Sequence, residues 1–384
     1  MKIKMPYSCQ QIDQSDINAV MDVMGSDFLT TGPKVAEFEK KVAKYCHVKH
    51  GVAVSSGTAG LHAAMYAAGI GPGDEVIVPA ITFVATANAV VFCGATPIFC
   101  DVNEHNLLAS IEDIENKITD KTRAIVIVDY AGQPYSHYLY LPGLADDHNL
   151  IIIEDACHAL GAYDGMSGEV GSISDLTVFS FHPVKTITTG EGGMVMTNND
   201  EYSEKMKRFR NHGISSDYKM REKNNSWEYS MTELGYNYRI TDMQCALGIS
   251  QMNKIDSFIR QREALANIYD YLTDDIDGVE SIDRPRGSEG AIDAYHLYVV
   301  KFDNEKIRNH MFNFLRKKGI GVNVHYMPVH LHPYYQETYG THEGMCLVAE
   351  SCYKRILSLP LHPGMSENDV RYVCDLIKKG LKSL

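Results

Sequence analysis

The sequence predicts an α/β fold built on a largely parallel sheet covered by helices on both faces, followed by a smaller α+β domain. Three observations lead there. Short runs rich in Val and Ile recur at 51–54, 75–78, 97–101, 124–129, 150–155, 176–180 and 193–197. Stretches with helical spacing, such as 59–68 and 111–118, separate most of them. The runs are near-continuously apolar rather than alternating, the pattern of strands buried on both faces of a sheet.

From about Gln251 the texture changes. A long charged helical pattern at 252–272 leads into an acidic stretch with Gly and Pro at 274–291. A strand-like 296–302, a helix near 306–318, strands at 321–325 and 356–361 and a final helix from Glu367 follow. These features divide the chain into a large domain at 1–250, N-terminal arm included, and a small domain at 251–384, with the boundary helix as a hinge. At 384 residues and 45% hydrophobic, the chain can bury cores of that size.

Composition removes several function classes. A formal net charge of -13 disfavours nucleic acid or an anionic membrane as partner, because neutralising phosphates needs clustered Lys and Arg. A local anion site survives that argument, since backbone amides at helix ends bind phosphate. The nine cysteines form no CxxC and no paired spacing, so they read as small buried hydrophobes in a reducing compartment, with no metal site. Residues 76–100 carry no charge and could span a bilayer by length, but Pro79, Thr82, Thr86, Asn88, Gly94 and Pro97 cut them into strand, loop, helix and strand. The N-terminus lacks the layout of a signal peptide, and a soluble, cytoplasmic protein is expected.

Ligands of such sheets bind at the carboxyl ends of the strands, so the polar residues closing each run matter most. Residues 55–60 (SSGTAG) follow a strand and open an alanine-rich helix, where small residues let backbone amides approach an anion; a plain capped helix start fits them equally well. Asp155 closes its strand and, partly desolvated there, suits a cationic partner such as a protonated pyridine nitrogen, or else caps the next helix. His158 could bond a phenolic oxygen or serve as a structural hydrogen bonder. Phe83, just past a strand end, could stack on a flat heterocycle or pack in the core. Ser180 ends its strand five residues before Lys185. Lys185 lies among apolar and aromatic neighbours, whose desolvation disfavours the ammonium and leaves a nucleophilic amine able to form a Schiff base. Amine, phosphate cradle, nitrogen partner and ring stacker together describe a pyridoxal phosphate site.

The ordered motifs 28–33 (FLTTGP), 154–161 (EDACHALG), 179–185 (FSFHPVK), 188–193 (TTGEGG), 209–213 (FRNHG), 234–240 (LGYNYRI) with Gln244, and 324–328 (VHYMP) extend over nearly the whole chain. In them the chain resembles the DegT/DnrJ/EryC1/StrS sugar aminotransferases, within the fold-type I pyridoxal phosphate enzymes. The resemblance implies a mixed, mostly parallel seven-stranded sheet in the large domain. It implies that Lys185 holds the cofactor as a Schiff base, Asp155 the pyridinium and Phe83 one face of the ring, with His158 near the ring hydroxyl. Gly57, Thr58 and Ser180 would bind the phosphate, with Asn237 reaching it from the neighbouring subunit of a homodimer. Thr30, Gly32, His325 and Tyr326 would lie near the substrate.

Two departures from the family pattern stand out. Many members have Gln at the position of His158. Others replace the lysine with histidine and dehydrate sugars, so Lys185 favours transamination. The implied chemistry is a ping-pong transfer from L-glutamate, through pyridoxamine phosphate, to a keto-sugar carried on a nucleotide. The runs 128–134 (VDYAGQP) and 181–185 with His158 look most like the aminotransferases of the pseudaminic acid pathway, which aminate C4 of a UDP-linked 4-keto-6-deoxy-N-acetyl-L-hexosamine. Enzymes making UDP-4-amino-arabinose or dTDP-amino sugars share most of these motifs. A sugar dehydratase of the same fold, a non-enzymatic cofactor-binding regulator and a plain nucleotide-binding α/β protein are the rivals; the chain has no dinucleotide fingerprint.

Overall fold

A computed structural model of the chain describes residues 3–135, 137–215, 225–284 and 290–384. All seven apolar runs are strands: β1 (His50–Val54), β2 (Glu75–Pro79), β3 (Thr96–Cys100), β4 (Thr122–Val128), β5 (Ile151–Asp155), β6 (Leu176–Ser180) and β7 (Gly193–Thr197). They form one sheet in the order β1-β7-β6-β5-β4-β2-β3. β7 is antiparallel to both neighbours, and every other pairing is parallel. The mostly parallel sheet of a fold-type I enzyme is therefore present.

Successive residues of these strands enter different cores, as burial on both faces requires. Val52, Val178 and Val195 join one apolar cluster, whereas Ala53, Phe179, Met194 and Met196 join another. The uncharged stretch 76–100 resolves into β2, the helix Val84–Phe92 and β3. Among the described residues no helix is long and apolar enough to cross a membrane. All nine cysteines are free thiols, six of them buried.

Beyond residue 250 a second, antiparallel sheet has the order β10-β9-β8, with β8 at Val279–Ser281, β9 at Tyr298–Phe302 and β10 at Ile356–Leu359. Its core contains Tyr298, Val300, Leu357 and Leu359 against Met311, Val370 and Ile377 of the flanking helices. The helix Ile255–Thr273 serves both halves. Its early residues Ile255, Phe258 and Ile259 pack with Phe38 and Phe181, and its later Leu265, Ala266 and Tyr269 belong to the second core.

Several sequence expectations need correction here. The helix expected at 252–272 is present as Ile255–Thr273 but starts later, because Met252 ends a preceding helix, Asp242–Met252, with Asn253 as its cap. Residues 321–325 are not a strand. Only Asn323 pairs, with Ser358, because Gly321 is committed to the N-terminal segment through its N–H to Met5 O at 2.7 Å. The run 356–361 stops at Leu359 because Pro360 has no N–H to continue a ladder. The stretch 274–291 hides the edge strand β8, and its residues 285–289 lie outside the described residues. The arm itself crosses toward the chain's last third, with Lys4 and Met5 both donating to Gly319 O.

Candidate active site

The site is built on the carboxyl ends of β4, β5 and β6. Asp155, the last residue of β5, is buried with only 6% of its surface exposed. Its Oδ2 accepts from Thr86 Oγ1 at 2.6 Å, and Thr86 in turn meets Thr82 Oγ1 at 2.7 Å. Its Oδ1 accepts from Cys157 N at 3.2 Å, a turn contact, and no helix begins after it. The helix-cap reading of Asp155 therefore falls. No cation lies within ion-pair distance among the described residues, so the carboxylate is held in place by hydroxyls and remains available to a positive ligand.

Lys185 lies in the connection from β6 to the adjacent, antiparallel β7. That connection is cross-tied: Phe181 N donates to Gly192 O, Thr189 N to Phe181 O, and Lys185 N to His182 O. Burial lowers the Lys185 pKa below the ordinary lysine value, against the opposing pull of Cys157 and Asp155. No hydrogen bond or ion pair engages its Nζ among the described residues.

The helix Gly57–Ala67 starts against this loop. Ser56 caps it, accepting from Ala59 N at 3.1 Å, which leaves the Gly57 and Thr58 amides without intrahelical partners. The capping reading of 55–60 thus holds, and it is compatible with the anion-cradle reading. A Cβ at Gly57 would come within 3.0 Å of Ser180 Cβ and 3.1 Å of Cys157 Sγ, so only glycine keeps the approach open.

His158 has its ring nitrogens assigned by their partners. Nδ1 accepts from Ala131 N at 3.3 Å, so the proton of the neutral ring sits on Nε2, which faces Tyr326 OH at 3.1 Å. Burial, then the charge of Lys185, holds its pKa well below the usual histidine value. His325 is likewise neutral, pushed down to about 3 by burial, with Nδ1 at 2.8 Å from Ser358 Oγ. Phe83 is 54% exposed and caps the start of a helix without a side-chain bond, so it is not a core residue. Its ring lies 5.9 Å from that of Tyr326.

Nine of the twelve residues singled out from sequence line one cavity of about 590 Å³: Gly57, Thr58, Phe83, Asp155, His158, Ser180, Lys185, His325 and Tyr326. Three do not. Thr30 and Gly32 line a separate groove with Arg210 and Arg239. Asn237 is exposed and bridges to Asn211. Gly32 also has a local role, its N–H donating to Asp242 Oδ2 at 2.7 Å. Sequence reasoning missed Tyr7, Asn323 and Glu191 in the cavity wall and Thr86 behind Asp155. For Thr86 a signal existed, a hydroxyl one helical turn after Thr82; Tyr7 gave none, because only the folded arm brings it there.

These features fit pyridoxal phosphate. An unengaged lysine amine, a buried carboxylate and a glycine-lined helix N-terminus share one cavity, and Gly57 leaves free the space a Cβ would fill. Comparison with known proteins decides the family. Residues 10–378 match the DegT/DnrJ/EryC1/StrS aminotransferase family.

This chain belongs to that family.

A spore coat polysaccharide biosynthesis protein, SpsC, of Bacillus subtilis is 38% identical over 384 residues, 98% of this chain and 97% of the relative. The UDP-4-amino-4,6-dideoxy-N-acetyl-beta-L-altrosamine transaminase of Campylobacter jejuni is 38% identical over 382 residues, 97% and 96% of the two chains. Among solved structures, Helicobacter pylori PseC, an aminotransferase of pseudaminic acid biosynthesis, superposes with a TM-score of 0.90 at 31% identity, covering 99% of this chain and all (100%) of its own. A sugar aminotransferase of Streptococcus pneumoniae, solved in forms with pyridoxamine phosphate and pyridoxal phosphate, gives TM-scores of 0.92 and 0.90 at 29% identity, covering 99% of this chain and 100% and 99% of its own. As a DegT/DnrJ/EryC1/StrS aminotransferase, the chain is a sugar aminotransferase that uses pyridoxal phosphate.

Proposed function

We propose that this enzyme moves an amino group from L-glutamate to C4 of a UDP-linked 4-keto-6-deoxy-N-acetylhexosamine of the pseudaminic acid type. It works by two half-reactions in the cytoplasm, as a homodimer with shared sites. The observation that carries the choice of sugar is the 38% identity, along nearly the whole chain, to the Campylobacter transaminase. The choice of amination over dehydration rests on Lys185, whose amine no group among the described residues engages.

When bound, pyridoxal phosphate supplies an electron sink for carbanion charge and carries the amino group from donor to acceptor. The chain's residues do the rest. Lys185, made less basic by burial, tethers the cofactor; once displaced, its Nζ takes the proton from the donor's Cα. Asp155, fixed by Thr86, keeps the ring nitrogen protonated. His158 would lie near the ring hydroxyl, with its Nε2–H, fixed by Ala131 N, passing to that hydroxyl from Tyr326 OH. The Gly57 and Thr58 amides and the Ser180 hydroxyl hold the phosphate at the helix N-terminus. Phe83 keeps water from one face of the ring. Asn237, exposed on its own chain, reaches the phosphate of the partner subunit's site, and Thr30, Gly32, His325 and Tyr326 border the sugar.

Equal identity to SpsC favours a second reading, the same chemistry on another nucleotide sugar. Product analysis separates these. With L-glutamate and a panel of UDP- and dTDP-4-keto sugars, mass spectrometry should find the amine and 2-oxoglutarate with the UDP-4-keto-6-deoxy-N-acetylhexosamine. Amination of only dTDP-sugars or UDP-4-keto-arabinose would overturn the sugar assignment. A dehydrated product that has lost the hydroxyl and gained no amine would overturn amination. Borohydride reduction and peptide mapping should place the cofactor-derived mass on Lys185.

A further inference from the structure

Across the sheet from Asp155 lies a second acidic group that the reaction above does not use. Glu154, one residue earlier on β5, faces the opposite side of the sheet, and Asp129, one residue past the end of β4, faces it there. Both are fully buried, at 0% exposure. Neither has an ion-pair partner among the described residues. Two bare carboxylates in such a place would repel each other and lack hydration.

The hydrogen bonds resolve how they coexist. Glu154 has a hydroxyl donor on each oxygen: Tyr138 OH on Oε1 and Thr177 Oγ1, at 2.6 Å, on Oε2. Asp129 is served less well. Its Oδ1 accepts from Tyr135 N at 3.1 Å and lies 3.3 Å from Tyr138 OH, and no backbone or hydroxyl donor reaches its Oδ2 among the described residues, which leaves Glu154 as a neighbour that Asp129 can bond only by carrying a proton. Tyr138 has one hydroxyl hydrogen, and its closer contact is Glu154. A carboxylate with both oxygens bonded to hydroxyls is the better anion, and a carboxyl with an oxygen lacking such a donor is the better acid. Burial agrees, raising Asp129 well above the usual carboxylate range, with Glu154 adding to the rise. The same burial raises Glu154, but hydrogen bonds from Thr177, Tyr138 and Asp129 oppose it. The other titratable groups acting on the pair are Asp155, Cys46 and Cys157, none of them a cation.

The pair also touches the cofactor cavity through the backbone. Asp129 N donates to Asp155 O at 3.2 Å. The turn that Asp129 begins contains Ala131, whose φ of 64° is unusual for a residue with a side chain and whose N–H fixes the tautomer of His158. Gly132 N returns to Asp129 O at 3.1 Å to close the turn.

We propose that Asp129 and Glu154 share one proton, with Asp129 the acid and Glu154 the carboxylate, and that this pair is the positioning device that holds the Ala131 turn against His158 and the end of β5 at Asp155. The cofactor roles of His158 and Asp155 are those proposed above; the protonation states stand apart from them. Asp129 does not line the cofactor cavity and acts through the turn.

Infrared spectroscopy of the cofactor-free and cofactor-bound protein tests this directly. At neutral pH the wild type should show the C=O stretch of a buried, protonated carboxylic acid. Asp129→Asn should abolish that band, and Glu154→Gln should retain it. A wild type with no such band, or a band that survives Asp129→Asn, overturns the proposal. So does a band that only Glu154→Gln removes. If Glu154→Gln does not fold, 13C labelling of aspartate in the wild type, which shifts the band only if an aspartate and not Glu154 carries the proton, decides the point together with loss of the shifted band in Asp129→Asn. The positioning role has its own readout. Asn can accept from Tyr135 N as the neutral acid does, so Asp129→Asn should keep kcat/KM within about threefold and leave the pH midpoint of the bound cofactor's visible band unmoved, whereas Asp129→Ala should lose about tenfold and move that midpoint. Equal losses in the two variants, with an unmoved midpoint, would make Asp129 merely structural.

Discussion

The cavity around Lys185 and the groove around Thr30 differ in how a single chain completes them. In the cavity, adjacent strand ends deliver an amine, a carboxylate and a helix N-terminus to one place, and Asp155 and His158 are each held by neighbours on other elements. In the groove the cations are already engaged within the chain. Arg210 pairs with Glu39 and donates to Ala53 O, and Arg239 Nη1 donates to Asn211 Oδ1 at 2.9 Å. Nearby Asn237 is exposed and does not line its own chain's cavity. Parallel-sheet topology thus assembles the cavity's groups within one chain, whereas the arginines of the groove are already satisfied by their own chain.

The largest expected effect is on the cavity side. Lys185→Ala should lower kcat/KM by about 10⁴-fold or more, because it removes both tether and proton carrier, while the thermal midpoint stays unchanged. Retention of activity within tenfold would break the contrast at its centre. Asp155→Asn should cost about 10²-fold by uncoupling the ring nitrogen from its counter-charge, seen as a fall in kcat with weaker cofactor retention.

The groove side calls for a different measurement. Asn237→Ala should lose about tenfold, and mixing it with Lys185→Ala should recover about a quarter of wild-type activity, since each hybrid dimer has one site free of both substitutions. Recovery no greater than the average of the two parents would mean that Asn237 serves its own subunit or none.

The smallest effect concerns stability rather than catalysis. Burial holds His62 and His362 down to about 4 and His325 to about 3, with His158 and His296 well below their usual value. Unfolding restores each to about 6.5, so the unfolded chain binds more protons as pH falls below that value. These rings should therefore pull stability down progressively from about pH 6.5 towards 4, opposed by the buried acids Asp129, Asp175 and Asp293, whose raised pKa values favour the folded state as pH falls. Thermal melts of the cofactor-free protein across that range would register the balance, with a net decline expected; a midpoint that rises towards pH 4 would show that the acids outweigh the rings.

Much of the cavity was legible because its parts follow strand ends, where a short apolar run closed by Asp155 or Ser180 marks both a strand and its ligand-facing tip. The seven strands of the large sheet were legible for the same reason. Tyr7 and Asn323 were not, since the arm and the segment after Gly321 meet only through long-range backbone bonds that leave no periodic trace. The break between Met252 and Ile255 was hidden because polar residues continue the helical spacing through it. The Asp129–Glu154 pair was invisible for another reason: each carboxylate reads as an ordinary strand-end charge until the sheet sets them side by side.

The tie between β6 and β7 has a consequence for how this scaffold can change. Ser180 pairs with Gly193, and the loop between them is closed by bonds from Phe181, Thr188 and Thr189. None of those bonds uses the side chain at 185. Closure of the loop is thus independent of the side chain at 185, so a substitution there leaves every bond that ties β6 to β7 in place. The residue proposed to carry the reaction is held by a frame whose hydrogen bonds it does not supply.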